Sequence, residues 1–423
     1  MENERKDIRY QVMKGYKPTS LIHLVNKETL KEQHKKQICG KASGIDKITK
    51  EEYEANLEAN LDCLISRMKK FSYKPLPVRR TYIPKLNGKL RPLGIPAYED
   101  KLVQGAIADI LNEIYECKFL DCSYGFRPGR NCHQAIREIN QRIMINKVKY
   151  ILDADIKGFF DNVNHEWLMK FLAHDIGDKN LLRYINRFLI SGYMEEGKYN
   201  KVNKGTPQGG LISPVLANVY LHYVLDLWFE RRVKPNLKGE AYLVRYADDF
   251  IIMFQYENEA KLVYQELNKR LAKFGLEMEE NKTRIIPFGR YKGNKETFDF
   301  LGFMHYNSKT RTGKYTVGHK ISKNKRKAKQ QSITKWIKEN RTYKIKELIE
   351  RLNKKIVGIY AYYGINGMLE ELYKIYYHTL YALRSSIFRR SQRKLSRKVY
   401  NKIIKRVPIV KPKIYQNIWG WNA

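Results

Sequence analysis

At 423 residues the chain is too long for one ordinary hydrophobic core, and two or three packed subdomains are expected. Its 81 Lys and Arg against 44 Asp and Glu leave a formal charge of +37, which points to a polyanion such as nucleic acid as partner, ahead of a membrane surface. The N-terminus MENERKDIRY has no apolar stretch and no run of 18 apolar residues occurs, which argues against a signal peptide and a membrane span and makes a reduced cytoplasmic protein the default.

Residues 1–77 read as helical and amphipathic. From Glu51 to Lys70, for example, Tyr53, Leu57, Leu61, Leu64 and Met68 recur at helical spacing. The five cysteines, Cys39, Cys63, Cys117, Cys122 and Cys132, contain no CxxC pair, which argues against a zinc knuckle or a disulfide framework. Residues 78–305 change to short apolar strands, Gly/Pro turns and intervening helices, the pattern of an α+β catalytic region. From about residue 320 helices return. Ile345, Ile349, Leu352, Ile356 and Ile359 make one apolar stripe, and Leu372, Tyr376, Leu380, Leu383 and Ile387 a second. Between Leu372 and Ala423 there are thirteen Lys/Arg and no acid, and Pro408 and Pro412 mark the end of the helices.

Two segments carry the chemistry. Residues 148–156, VKYILDADI, read as a buried strand ending at Asp155, with Asp153 on the same face as a competitor and Asp161 as a cap of the following turn. Tyr242 to Phe254 reads as two apolar strands interrupted by Asp248 and Asp249, a hairpin with acids at its tip. Adjacent aspartates there cost electrostatic energy that a bound dication would offset, although an ordinary polar turn gives the same pattern. Asp155 together with Asp248 would suit a pair of Mg²⁺ ions about 4 Å apart, the arrangement that phosphodiester chemistry requires.

The series Ile83-Pro-Lys85 to Pro96, Ser123 to Arg130, Asp155 to Asp161, Gly205-Thr-Pro-Gln208 to Pro214, Tyr246-Ala-Asp248-Asp249, Asn281-Lys282-Thr283 and Phe300-Leu301-Gly302-Phe303 resembles, in order, the motifs of reverse transcriptases of the bacterial group II intron branch. The resemblance implies an α+β right-hand polymerase. Residues 1–77 would be an N-terminal helical extension and the start of the fingers, 78–305 fingers and palm, 306–405 a helical thumb (domain X of maturases) and 406–423 a short tail. It implies Asp155, Asp248 and the Ile156 carbonyl as ligands of two Mg²⁺, or Mn²⁺ in their place, and Asp249 as the third catalytic carboxylate. Lys85 and Arg91 would clamp the incoming triphosphate, Phe160 would exclude a 2′-hydroxyl, Gln208 would contact the sugar and Lys282 would protonate pyrophosphate.

Tyr246 and the Phe300-Leu301-Gly302 hairpin would meet primer or template. Arg127 and Arg130 would contact template or intron RNA, or stabilise their own loop. The helical tail, with Arg389, Arg390, Arg393 and Lys394, would bind RNA. The implied partners are an RNA template (structured intron RNA), a DNA primer or target and dNTPs, in a bacterial cytoplasm and on the nucleoid when bound to DNA, with no membrane and the oligomeric state open. With only residues 406–423 after the thumb, the DNA-binding segment is expected to be short or absent and a Cys/His-rich endonuclease domain lacking. Three alternatives stay open: a free-standing enzyme in phage defence or CRISPR adaptation, a splicing chaperone without polymerase activity, and an RNA-dependent RNA polymerase, which Phe160 disfavours.

Overall fold

The computed structural model describes residues 2–84, 88, 90–206, 209–292, 295–389 and 396–419. Helices α1 (Glu2–Met13), α2 (Lys27–Lys36), α3 (Lys50–Glu54) and α4 (Leu57–Lys69) come first, then strands β1 (Val78–Pro84) and β2 (Leu90–Ile95) and helices α5 (Tyr98–Tyr115) and α6 (Cys132–Ile145). Strand β3 (Tyr150–Ala154) leads into α7 (Phe159–Asn162), α8 (His165–Asp175) and α9 (Lys179–Ile190), followed by β4 (Tyr193–Glu195) and β5 (Lys198–Asn200). Helix α10 (Ser213–Leu221) widens into π-helical turns at His222–Asp226 and Phe229–Val233. Next come β6 (Ala241–Tyr246), β7 (Asp249–Phe254), α11 (Glu257–Lys273), β8 (Arg284–Pro287), β9 (Thr297–Phe300), β10 (Phe303–Lys309) and β11 (Tyr315–Ile321). Helices α12 (Lys323–Glu339), α13 (Ile345–Tyr363), α14 (Leu369–Phe388) and α15 (Arg397–Arg406) complete the chain. With 51% helix and 16% strand, the α+β class read from the sequence holds.

The strands form three sheets, in the orders β2–β1–β4–β5, β6–β7–β3–β8 and β11–β10–β9. In the first, β1 and β2 pair antiparallel with Ile83 opposite Arg91, and β4 joins β1 in parallel. The long helix expected from Glu51 to Lys70 is two helices. A capping box between Thr49 and Glu52 starts α3, and the chain leaves helical geometry at Asn56 (φ −131°, ψ 39°) before α4 begins. Tyr53, Leu61, Leu64 and Met68 are nevertheless all buried, so the apolar period survives the break.

Two compact units divide the residues. The first takes Met1–Asn131, Leu152–Ile252 and Asn258–Arg284, the second Cys132–Ile151, Met253–Glu257 and Ile285–Ala423. The core of the first is centred on α5, whose Leu102, Val103, Ile107, Leu111 and Ile114 are buried, and on α10. Asp178 anchors the N-terminal segment to it. Its carboxylate accepts from Asn180 and Leu181 N–H at the start of α9 and from Leu21 and Ile22 N–H, 157 and 156 residues away. Burial alone would raise this acid's pKa, but the four N–H donors outweigh it and hold the pKa below the ordinary value. In the second unit Ile349, Leu352, Ile356, Leu372, Leu383 and Ile387 share one core with Ile333 and Ile337 of α12, so both sequence stripes face inward.

Candidate active site

The site is built in the first unit on neighbouring strands. Strands β6 and β7 are joined by only Ala247 and Asp248, so Asp248 stands at the hairpin's turn and Asp249 opens β7, exposed. Ala247 has φ +58°, a left-handed conformation that glycine adopts without strain and alanine does not. Asp155 directly follows β3, the strand beside β7.

The two carboxylates feel each other. Burial pushes the Asp248 carboxyl above the ordinary aspartate range, and the negative charge of Asp155 pushes it the same way, while the Asp248 backbone, Arg91 and Arg245 pull against them. Lys282 donates to Asp155, and that bond raises the ammonium's pKa. Asp249 also lies within electrostatic reach of Lys282. The charge of Arg91, exposed on β2, is near enough to act on the Asp248 carboxyl.

Next to Asp155, the backbone of Ile156 is bridged to Met278, and the bonds of this bridge run from Lys157 N–H to Glu277 O (2.9 Å) and from Glu279 N–H to Asp155 O (2.8 Å). In that antiparallel pattern the intervening carbonyl of Ile156 turns away from Met278. Two carboxylates and a backbone carbonyl are hard oxygen donors. Asp155 and Asp248 repel each other, and a cation held by both would relieve that repulsion, so the residues present fit Mg²⁺. Among the described residues no group of three or more His, Cys, Asp and Glu side chains gathers as a ready-made cage.

Phe160 is half-buried and walls a cavity of about 290 Å³ that Arg80, Pro92, Gly94 and Thr206 also line. Its carbonyl accepts from Thr206 N–H (2.7 Å), and the chain at Gly205 runs so close that a Cβ there would lie 2.9 Å from Asp161 O. Glycine at 205, with φ +90°, is therefore a packing requirement. Lys85, Gln208, Arg390, Arg393 and Lys394 lie outside the described residues.

The segment Ser123 to Arg130 braces the catalytic hairpin. Tyr124 N–H donates to Arg245 O and Arg245 N–H to Cys122 O (2.8 Å each), laying the segment alongside β6. Gly125 sits against the turn itself: a Cβ would fall 2.4 Å from Ala247 N. Arg127, expected either to contact template or intron RNA or to stabilise its own loop, bonds within that loop. Its guanidinium is buried, holds both oxygens of Glu116 (2.9–3.2 Å) and donates to Leu120 O and Ser123 O (2.8 Å each), so it fastens its own loop. Arg130 pairs with Asp121 and lies over the Tyr124 ring. Tyr246 ends β6 half-buried, 6.4 Å from the Phe126 ring.

Phe300, Leu301 and Gly302 belong to the second unit. Leu301 (φ +49°) and Gly302 (φ +86°) form a two-residue turn with both central residues left-handed, between paired Phe300 and Phe303. Tyr362 Oη donates to Leu301 O (2.7 Å), and Tyr363 Oη lies 3.1 Å from where a Gly302 Cβ would stand, so two tyrosines of α13 hold the turn's shape. Arg389 follows α14, exposed.

Sequence reasoning missed three buried polar residues behind the hairpin: Asn218, Asp226 and Arg245. The available signal was Arg245 itself, a charge in the middle of the apolar strand Tyr242-Leu-Val-Arg-Tyr.

Comparisons with known proteins bear on the family of the chain. A family model described as "Reverse transcriptase (RNA-dependent DNA polymerase)" matches residues 83–305. The group II intron-encoded protein LtrA of Lactococcus lactis subsp. cremoris is 37% identical over 265 residues, 58% of this chain and 44% of LtrA. Protein YkfC of Escherichia coli K12 is 31% identical over 314 residues, 67% of this chain and 80% of YkfC. The putative COX1/OXI3 intron 1 protein of Saccharomyces cerevisiae is 32% identical over 265 residues, 51% of this chain and 31% of that protein. The chain thus spans under half the length of LtrA. With the matched region reaching from β1 to β10 and including Asp155, Asp248 and Lys282, the chain belongs to the reverse transcriptase (RNA-dependent DNA polymerase) family.

Proposed function

We propose that the chain is an RNA-directed DNA polymerase, intron-encoded and serving as maturase for a structured intron RNA. The observation that carries the polymerase reading is the pairing of Asp155 and Asp248 on adjoining strands, with burial and mutual repulsion raising the Asp248 pKa. Asp155, Asp248 and the Ile156 carbonyl would hold two Mg²⁺, or Mn²⁺, which when bound activate the primer 3′-hydroxyl and neutralise the triphosphate. Arg91, with Lys85, grips the triphosphate, as a bidentate fork beside a point charge does well. Phe160 stands under the sugar and excludes a 2′-hydroxyl, and Gln208 contacts the same sugar. Lys282, which pairs with Asp155, would on release give a proton to the departing pyrophosphate.

In this reading residues 78–305 are fingers and palm and 306–405 the thumb, with Phe300 to Gly302 at the primer end. The intron-encoded role is supported by the similarity to the group II intron-encoded protein LtrA and to the yeast intron 1 protein, and by the acid-free, basic stretch after Leu372.

The test is primer extension by the purified protein on an RNA template with dNTPs or rNTPs and Mg²⁺. Extension with dNTPs is expected, lost in Asp248→Ala/Asp249→Ala, and opened to rNTPs in Phe160→Ala. Tight RNA binding without extension by the unaltered protein would replace the polymerase with a splicing chaperone.

A further inference from the structure

A fully buried arginine in a strand next to two acids invites the question of what it holds. Arg245 Nε and Nη2 donate to the two oxygens of Asp226 (2.7 and 2.6 Å), and Nη1 donates to Asn218 Oδ1 (2.9 Å) and to Ala247 O (3.0 Å). Asn218 Nδ2 donates to Gly125 O (2.7 Å), whose residue packs against Ala247 N. Asn218, Asp226 and Arg245 are at most 1% exposed.

The helix carrying the acceptors is shaped for this. Asn218 and Asp226 are eight residues apart, and in an uninterrupted α-helix they would point about 80° apart around the axis. The π-helical turn at His222–Asp226 rotates less per residue, which brings both side chains to one guanidinium.

Stability alone does not account for the arrangement. A buried ion pair replaced by apolar groups of similar volume is often neutral or stabilising. What an apolar side chain could not do is donate to Ala247 O. That carbonyl belongs to the peptide joining Ala247 to Asp248, so its direction sets the plane from which the Asp248 carboxylate projects. The same residue carries the strained φ of +58°, a conformation that persists only where its surroundings impose it.

We propose that Arg245 is a positioning residue. Clamped by Asp226 and Asn218, it fixes the Ala247–Asp248 peptide and so aims Asp248 at the metal shared with Asp155. This rests on the polymerase reading for its consequence in catalysis, but not for its consequence in metal binding.

The experiment compares the full chain with Arg245→Met/Asp226→Leu, which removes both buried charges together, and with Arg245→Lys, which keeps the ion pair but loses the fork. Thermal melting checks folding, Mn²⁺ titration by electron paramagnetic resonance reads the site, and extension reads chemistry. The expected result is a melting temperature near that of the unaltered chain for at least one variant. In that variant Mn²⁺ affinity falls about tenfold or more and kcat on the order of 10²-fold, with KM for primer–template unchanged. A folded variant that binds Mn²⁺ like the unaltered chain overturns the proposal. Asp248-dependent Mn²⁺ binding without any extension would sink the polymerase reading alone and leave the positioning role to be judged on Mn²⁺. Absence of Asp248-dependent Mn²⁺ binding in the unaltered chain overturns both.

Discussion

Asp248 answers to two opposed demands: its burial favours the protonated acid, and a bound cation favours the carboxylate. Because its folded pKa is raised, its contribution to the metal-free fold is fully present below the unfolded aspartate value, near about 4, and is lost as pH rises through the folded value. Metal binding has the reverse sign, since only the ionised form is a ligand. The acid limb of the extension rate is therefore expected above the ordinary aspartate range, moving to lower pH as Mg²⁺ is raised. Rate–pH profiles at low and saturating Mg²⁺ check this, and a limb that does not move with Mg²⁺ would assign it to another group. At the same scale, Arg127 shows what residue type alone conceals. An arginine between Phe126 and Pro128 reads equally as an RNA contact or as a brace for its own loop, and the fold reveals Glu116 beside it.

Among the elements, the hairpin of β10 and β11 in the second unit holds His305 opposite His319, both buried, with His305 stacked on Phe298 at 4.4 Å between centroids. Among the described residues neither ring nitrogen of His319 has a hydrogen-bond partner. Burial lowers both pKa values, that of His305 well below the usual range, with the neighbouring His319 adding to it, and that of His319 to about 4. The native state thus binds fewer protons than the unfolded chain. Stability should be intact above about pH 6.5 and fall below it, by up to about 1.4 kcal/mol per pH unit for each histidine. Urea unfolding at pH 7.5 and 5.5 measures the loss, and His319→Gln should reduce it; equal loss in that variant would place the acid sensitivity elsewhere. Much of the element plan was legible because apolar periods report burial directly: the stripes of α13 and α14 and the Tyr242–Phe254 hairpin all stand where expected. The break at Asn56 was not, since both halves keep the same apolar phase. The partnership of Arg245, Asn218 and Asp226 was hidden because it depends on a π-helical turn, which no spacing rule for a regular helix encodes.

For the whole molecule, the +37 charge predicts affinity that collapses with salt. Five phosphate contacts on single-stranded RNA would cost on the order of 10²-fold between 50 and 200 mM salt. On α15, Lys398, Lys402 and Lys405 are exposed, while Tyr400 is buried and Ile403 partly so. Replacing the three lysines with Gln is expected to flatten the slope of log Kd against log salt by about 2; an unchanged slope would remove α15 from the RNA-binding surface. Such a surplus of cations also bears on the centre of the site, where Lys282 already occupies Asp155. In the proposed polymerase an arriving Mg²⁺ would therefore have to evict a tethered rival that cannot diffuse away, as in a cation exchanger. Occupancy would become a contest decided by metal concentration. The evicted ammonium, still leashed to the Asn281-Lys282-Thr283 turn, would be set loose only at a site that has been loaded.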